Sequence, residues 1–137
     1  MSSEQHKQLV QKFVDEFWNL GNLAAADKFM APDARIHEPI AGTPADLKPF
    51  ARAFRTAFPD WHSTVDEIIV EGDRVVERWT GRGTHEAEFQ GIQPTGKRVS
   101  VPGVVFYRIA GGKIVEFRGQ FDRMSLMQQL GVIPGPA

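Results

Sequence analysis

The spacing of apolar residues changes once along this chain, and that change restricts the fold more than any motif does. Before Trp61 they recur every three or four residues, as Leu9, Phe13, Phe17 and Leu20 do in "LVQKFVDEFWNL". After it they recur every second residue, as in "DRVVERWTG" and "KIVEFRGQF". A period of 3.6 buries one stripe of a helix, and a period of two buries one face of a strand. Helices first and an antiparallel sheet afterwards is the α+β arrangement. The 137 residues read as a single domain, long enough to bury about two-thirds of its unfolded surface.

Local signals place the elements. Ser2 or Ser3 caps a first helix that runs to about Leu20, where Gly21-Asn22 stops it. "LAAADKFM" reads as a short second helix ending before Pro32, and "ARIHEPI" as a brief strand. "TPADLKPFARAFRTAF" opens a third helix with Thr43 as N-cap, Pro44 at the first helical position and Asp46 near the positive end of the dipole. Leu47, Phe50, Phe54 and Phe58 form its apolar face, Pro49 falls near its start, and Pro59 ends it. Four strands follow in "WHSTVDEIIVEG", "DRVVERWTGRGTHE", "KRVSVPGVVFYRIA" and "KIVEFRGQFD", with tight turns at Gly72-Asp73 and Gly111-Gly112. "RMSLMQQLG" is a closing helix with Gly131 past its end.

Composition removes several function classes. Hydrophobic residues make up 42% and charged residues 24%, which is globular rather than disordered composition. Sixteen Lys and Arg against seventeen Asp and Glu leave a net charge of −1, so nothing favours nucleic acid or an anionic membrane. Without cysteine there is no disulfide, thiolate metal site or cysteine nucleophile. No apolar run approaches about 18 residues and "MSSEQHKQ" is polar, so neither a membrane span nor a signal peptide is expected, and the expected location is cytoplasmic. "GIQPTGKR" spells the opening of a P-loop, with Gly91, Gly96 and Lys97 in register. A P-loop leads into a helix and follows its Lys with Ser or Thr. Here Arg98 follows, Pro94 removes an amide from the cradle, and "KRVSV" continues as a strand, so the stretch reads as a hairpin connection.

Ten Phe and three Trp are spread over helices and strands alike. They fit either a filled core or a pocket for a flat apolar ligand. In "EFRGQFD" a period of two puts Glu116, Arg118, Gln120 and Asp122 on one sheet face, with Phe117 and Phe121 on the other. Asp122 either caps the final helix or acts as a general base at the mouth of an aromatic pocket, where desolvation raises its pKa towards the working pH. Among the histidines, His6 reads as solvated and His62 as structural or exposed. His37 and His85 can each donate to a developing oxyanion or be satisfied by backbone. His37-Glu38 and His85-Glu86 are strand neighbours, so the members of each pair point to opposite faces and cannot chelate one metal. Neither an H-E-x-x-H spacing nor a G-x-S-x-G elbow occurs.

The segments "AFPDW", "GRGTHEAEFQGIQPTGKRV", "GGKIVEF" and "D…LMQQLG" together resemble the SnoaL-like polyketide cyclases, within the nuclear-transport-factor-2-like group of cone-shaped α+β folds. The resemblance covers nearly all of the chain. It implies a curved antiparallel sheet wrapped around three N-terminal helices with a conical pocket. It also implies a general base for an intramolecular aldol condensation at Asp122, with no metal, nucleotide or covalent intermediate. Many such proteins carry an aromatic residue in E-x-W on the last strand, where this chain has Glu116-Phe117-Arg118. An inward Arg118 would make the pocket more polar and bind a carboxylate or enolate.

The expected site has Asp122 as base, His85, His37 or Gln120 to stabilise the enolate, and Arg118 beside the substrate. Trp18, Met30, Phe50, Phe54, Trp79 and Phe106 are expected to line it. The expected ligand is a small apolar or aromatic carbonyl compound, with no cofactor. An isomerase, an epoxide hydrolase or a non-catalytic binding domain on the same scaffold is the alternative. An epoxide hydrolase needs an Asp-Arg-Asp set, of which Arg118 and Asp122 supply two members. An uncovered outer sheet face implies a homodimer, or a tetramer built on it.

Overall fold

The computed structural model describes residues 2–135. Helix α1 spans Ser3–Phe13. Ser2 and Gln5 cap it reciprocally: the Gln5 amide donates to Ser2 Oγ at 3.1 Å, and the Ser2 amide donates to Gln5 Oε1 at 2.8 Å. The expected α-helix to Leu20 instead widens into a π-helical stretch, Val14–Asn19, a rare geometry that is frequent at functional sites. Asn19 anchors its end, donating to the Ser63 carbonyl at 3.0 Å and accepting from the Ser63 amide at 2.7 Å.

Helix α2 (Ala25–Phe29) leads directly into strand β1 (Met30–Glu38). The strand starts earlier than "ARIHEPI" suggests because Met30 already pairs with Ile114. Pro32 is tolerated there because β1 is an edge strand. Helix α3 spans Pro44–Ala57, and the Thr43 amide donates to Asp46 Oδ2 at 2.9 Å to fix its start. Strands β2 (His62–Glu71), β3 (Arg74–Thr84), β4 (Arg98–Ala110) and β5 (Lys113–Phe121) follow, and helix α4 spans Arg123–Leu130. Gly111 and Gly112, at φ 58° and 75°, form the β4–β5 turn, whose hand requires left-handed backbone at both positions.

The sheet order is β1-β5-β4-β3-β2. Strands β2 to β5 pair antiparallel, but β1 runs parallel to β5, so the curved sheet is mixed rather than wholly antiparallel. No hairpin ties β1 to its neighbour: α3 and three strands intervene, which frees its direction. The P-loop look-alike lies in the β3–β4 connection, where Phe89 pairs with Ile92 and the His85 amide donates to the Lys97 carbonyl at 2.9 Å. A strand follows it, not a helix.

Helices cover one face of the sheet in two clusters. In the first, Phe13 packs against the rings of Phe17, Phe29, Tyr107 and Phe117. In the second, Phe54 meets Phe58, Trp61 and Phe89, with Leu126 and Leu130 of α4 buried beside them. The opposite face of the sheet is uncovered. No helix among the described residues is long and apolar enough to cross a membrane.

Candidate active site

Between the two aromatic clusters lies a cavity whose shape is set by indole rings. Trp79 on β3 lies across Gly103, its register partner on β4, and Trp61 lies across Gly81. A Cβ at either glycine would overlap the indole beside it, so the absence of a side chain lets each ring press against the backbone there, the two indoles meeting edge to face at 73°. Val14 and Trp18 enter from the π-helical stretch, Phe50 and Phe54 from α3, and Phe117, Gly119 and Phe121 from β5. Arg55 ties two of these walls together, donating through Nη1 to the Trp18 carbonyl at 2.7 Å and the Trp61 carbonyl at 3.1 Å. Trp61 Nε1 donates to Ser63 Oγ at 3.0 Å, which satisfies the polar edge of that ring.

Counted out to its open mouth the concavity measures about 510 Å³, of which about 50 Å³ admits the centre of a water-sized sphere. At about 10–15 Å³ for each water, that space holds a few solvent molecules. A larger ligand requires the rings of Trp18, Phe50 and Phe121, which are only half-buried, to move.

Among the described residues one ionisable side chain reaches this wall. Glu77 on β3 is 2% exposed, and its Oε1 accepts from the Tyr107 hydroxyl at 2.7 Å. Burial raises its carboxyl from the ordinary 4.5 to about 7, and the Tyr107 hydrogen bond pulls in the opposite direction. Burial, with the charge of Glu77, pushes the Tyr107 phenol well above its usual value, so Tyr107 remains a donor at neutral pH. Glu77 is not among the residues expected at the site. Its signal is parity: in "VVERWTG" it is in step with Val75, Trp79 and Gly81, a lone charge on the apolar face of the strand.

Of the apolar residues expected around a ligand, Trp18, Phe50, Phe54 and Trp79 line the cavity. Met30 is buried in the adjoining core instead. Phe106 points the other way: Val105 and Tyr107 face inward, so the period of two turns Phe106 to the outer face, where it is 52% exposed. Arg118 and Gln120 go with it. They pair with Phe106 and Val104 and are exposed, opposite in phase to Phe117, Gly119 and Phe121 on the cavity wall. The expected inward Arg118 is thus corrected, because the polar parity of β5 faces outward.

The four expected catalytic residues are not gathered at one point. Asp122 is exposed and its Oδ1 accepts from the Ser125 amide at 2.9 Å, as the N-cap of α4. His37 Nε2 lies 3.0 Å from Glu116 Oε2, and Arg108 Nε donates to Glu116 Oε1 at 2.8 Å. These two bonds, Arg108 first, hold the Glu116 carboxyl down at about 2, and they replace any pairing of Glu116 with Arg118. His85 is fully buried behind the cavity wall, its ring stacked on Phe58 at 5.3 Å and its Nδ1 accepting from the Thr95 amide at 3.2 Å. None of Asp122, His85, His37 and Gln120 borders the cavity. His6, expected in solvent, is 7% exposed, whereas His62 is exposed. Among the described residues no group of three His, Asp or Glu side chains is placed to hold a metal ion.

Two of the segments that carried the resemblance are in contact. Asp60 of "AFPDW" accepts from the amide and hydroxyl of Thr84, at 2.7 and 2.8 Å, and so joins the end of α3 to the end of β3. The family model for SnoaL-like polyketide cyclase matches residues 8–130. AclR from Streptomyces galilaeus, assigned as a hydroxylase, is 34% identical, with 99% of this chain and 87% of that chain covered and a TM-score of 0.90. A protein of Jannaschia sp. CCS1, assigned as a SnoaL-like polyketide cyclase, is 27% identical over 98% of each chain, with a TM-score of 0.86. IdmH from Streptomyces antibioticus, assigned as a polyketide cyclase, is 29% identical over 91% of this chain and 97% of its own, with a TM-score of 0.81. No curated protein matches the chain significantly. These neighbours share the nuclear-transport-factor-2-like fold of helices on one face of a curved sheet. With a family match over residues 8–130 and 34% identity to AclR across the whole fold, the chain belongs to the SnoaL-like polyketide cyclase family.

Proposed function

We propose that this chain is a cofactor-independent acid–base enzyme that folds a neutral carbonyl compound inside the aromatic cavity and closes a ring by aldol-type condensation. The observation that carries this reading is the cavity wall, which is apolar apart from Ser63 and the buried carboxyl of Glu77. Among the described residues no Lys, Arg or His lines it, so an ionic substrate would be desolvated without a counter-ion, which is strongly unfavourable. Flat aromatic walls favour a compact conformer of a flexible ketone, and holding two reacting carbons together supplies much of the advantage of an intramolecular reaction. Family membership and the likeness to IdmH support the reaction class. The resemblance puts the base at Asp122, but that carboxylate is engaged in the α4 cap and off the cavity wall, which favours a proton-transfer group on the wall itself. An epoxide hydrolase gains no support, since Arg118 and Asp122 both lie off the cavity. Incubation with a panel of neutral linear diketones and ketoesters is expected to convert those that fit into cyclic products, of equal mass or lighter by one water, detected by mass spectrometry. Equal turnover of carboxylate analogues, or no conversion of any neutral member, would sink this reading.

The outer sheet face supports a homodimer. Ile69, Val76 and Phe106 are register partners forming an apolar row across β2, β3 and β4, with Ile69 56% and Phe106 52% exposed. Covering such a row removes apolar surface from water. Sedimentation at micromolar concentration is expected to give twice the chain mass, and a mass of one chain excludes the dimer.

A further inference from the structure

We infer that Glu77 is the group that exchanges a proton with the bound ligand, that Tyr107 is its positioning residue, and that the ligand presents an enolisable C–H or a hydroxyl to it. The inference rests on the cavity being the ligand site. Glu77 projects from the middle of β3 between Val75 and Trp79, and Tyr107 holds its Oε1 at 2.7 Å. Among the described residues no hydrogen bond is made to Oε2, which leaves one carboxyl oxygen for a ligand. Among the described residues Tyr107 from β4 is the one titratable group that acts on it. The other elements packed around it present apolar side chains: Ile68 from β2, Val105 from β4, Val14 from the π-helical stretch and Phe54 from α3.

A purely structural role does not account for this arrangement. A buried carboxyl with no cation beside it is costly, and an apolar side chain of similar size would fill the same space without the penalty. Strongly perturbed carboxyls in clefts are concentrated at functional sites. With the carboxyl near 7, ionised and protonated forms coexist at neutral pH, which a group acting first as base and then as acid requires. As carboxylate, Glu77 removes a proton alpha to a carbonyl. The enolate carbon then forms a C–C bond to the second carbonyl carbon, whose π pair becomes an alkoxide. The alkoxide takes the proton back from Glu77, so atoms balance within the ligand and the carboxylate is regenerated. Tyr107 keeps its own proton throughout, and its bond to Oε1 turns Oε2 towards the ligand.

Phenol and anisole test this without a known substrate. Phenol carries a hydroxyl for a carboxylate to accept, and anisole has the same ring without a donor. Trp18, Trp61 and Trp79 all line the cavity, so their fluorescence reports occupancy. Phenol affinity is expected to rise roughly tenfold as pH increases through about 7, the value of one hydrogen bond to a charged group. Anisole should show no such rise. Glu77→Gln keeps the acceptor for Tyr107 and should flatten the phenol profile while leaving anisole binding intact. Tyr107→Phe should move the midpoint upward, because its hydrogen bond lowers the Glu77 carboxyl. A phenol profile that is flat, or identical in parent and Glu77→Gln, overturns the inference if anisole still binds. If neither compound quenches the tryptophans, the cavity is not the ligand site and both this inference and the proposed function fall.

Discussion

At about pH 8, Glu77→Gln is expected to be more stable than the parent by about 3 kcal/mol while turning over substrate at least about a hundredfold more slowly. The stability gain follows from linkage. The folded carboxyl titrates near 7 and an unfolded one near 4.5, so between these values the folded chain keeps a proton that the unfolded chain releases. Stability therefore falls as pH rises across that window, and the whole penalty is present above it. The gap, at about 1.4 kcal/mol for each pH unit, gives about 3 kcal/mol. Below both values the carboxyl is protonated in either state, and parent and variant should melt alike. In a chain of this size 3 kcal/mol corresponds to roughly 10 °C in Tm. Melting curves should show the parent falling across the window and the variant staying level. Catalysis should move the other way, since the amide fits the same space but accepts no proton. Asp122→Asn supplies the contrast: Asn is an equally good cap, so stability should change by a few tenths of a kcal/mol and turnover by no more than a few-fold. A parent Tm independent of pH, or loss of turnover in Asp122→Asn alone, would falsify the assignment of the base to Glu77.

The elements legible in the sequence are those fixed locally. Ser2 with Gln5, Thr43 with Asp46, and Gly111-Gly112 each settle a helix start or a turn through residues within a few positions of one another. The early start and parallel direction of β1 depend on Ile114, far along the chain, and no local pattern encodes that pairing. The site divided in the same way. Helical spacing marks Phe50 and Phe54, but choosing the inward parity of a strand requires knowing which sheet face the helices cover. In "VPGVVFYRIA" both parities are apolar, so the strand's own pattern does not tell that Phe106 faces outward. Arg118, the register partner of Phe106, faces outward with it. Strand β3 was less ambiguous, because Arg78 and Arg82 mark the outward parity and leave Glu77 as the exception on the other.

Gly103→Ala is expected to abolish ligand binding and to destabilise the fold by about 1–3 kcal/mol, the usual range for overpacking a filled interior. The added methyl would overlap the Trp79 indole on one side and lie 2.8 Å from the Gln120 carbonyl on the other. The carbonyl belongs to the β4–β5 ladder and cannot yield, so the ring must leave its bed on the sheet. The space next to it is the cavity, with about 50 Å³ free, so the displaced indole occupies the volume a ligand needs. Shrinking the ring should relieve the conflict: in Gly103→Ala combined with Trp79→Leu, the loss of stability should be smaller than the two single losses added together. Residues in direct contact typically couple by about 0.5–3 kcal/mol, which a double-mutant cycle resolves. Phenol binding should disappear in the single glycine variant and return in the double variant. If Gly103→Ala melts with the parent and still binds phenol, the indole is not held against Gly103, and the glycine does not set the depth of the cavity.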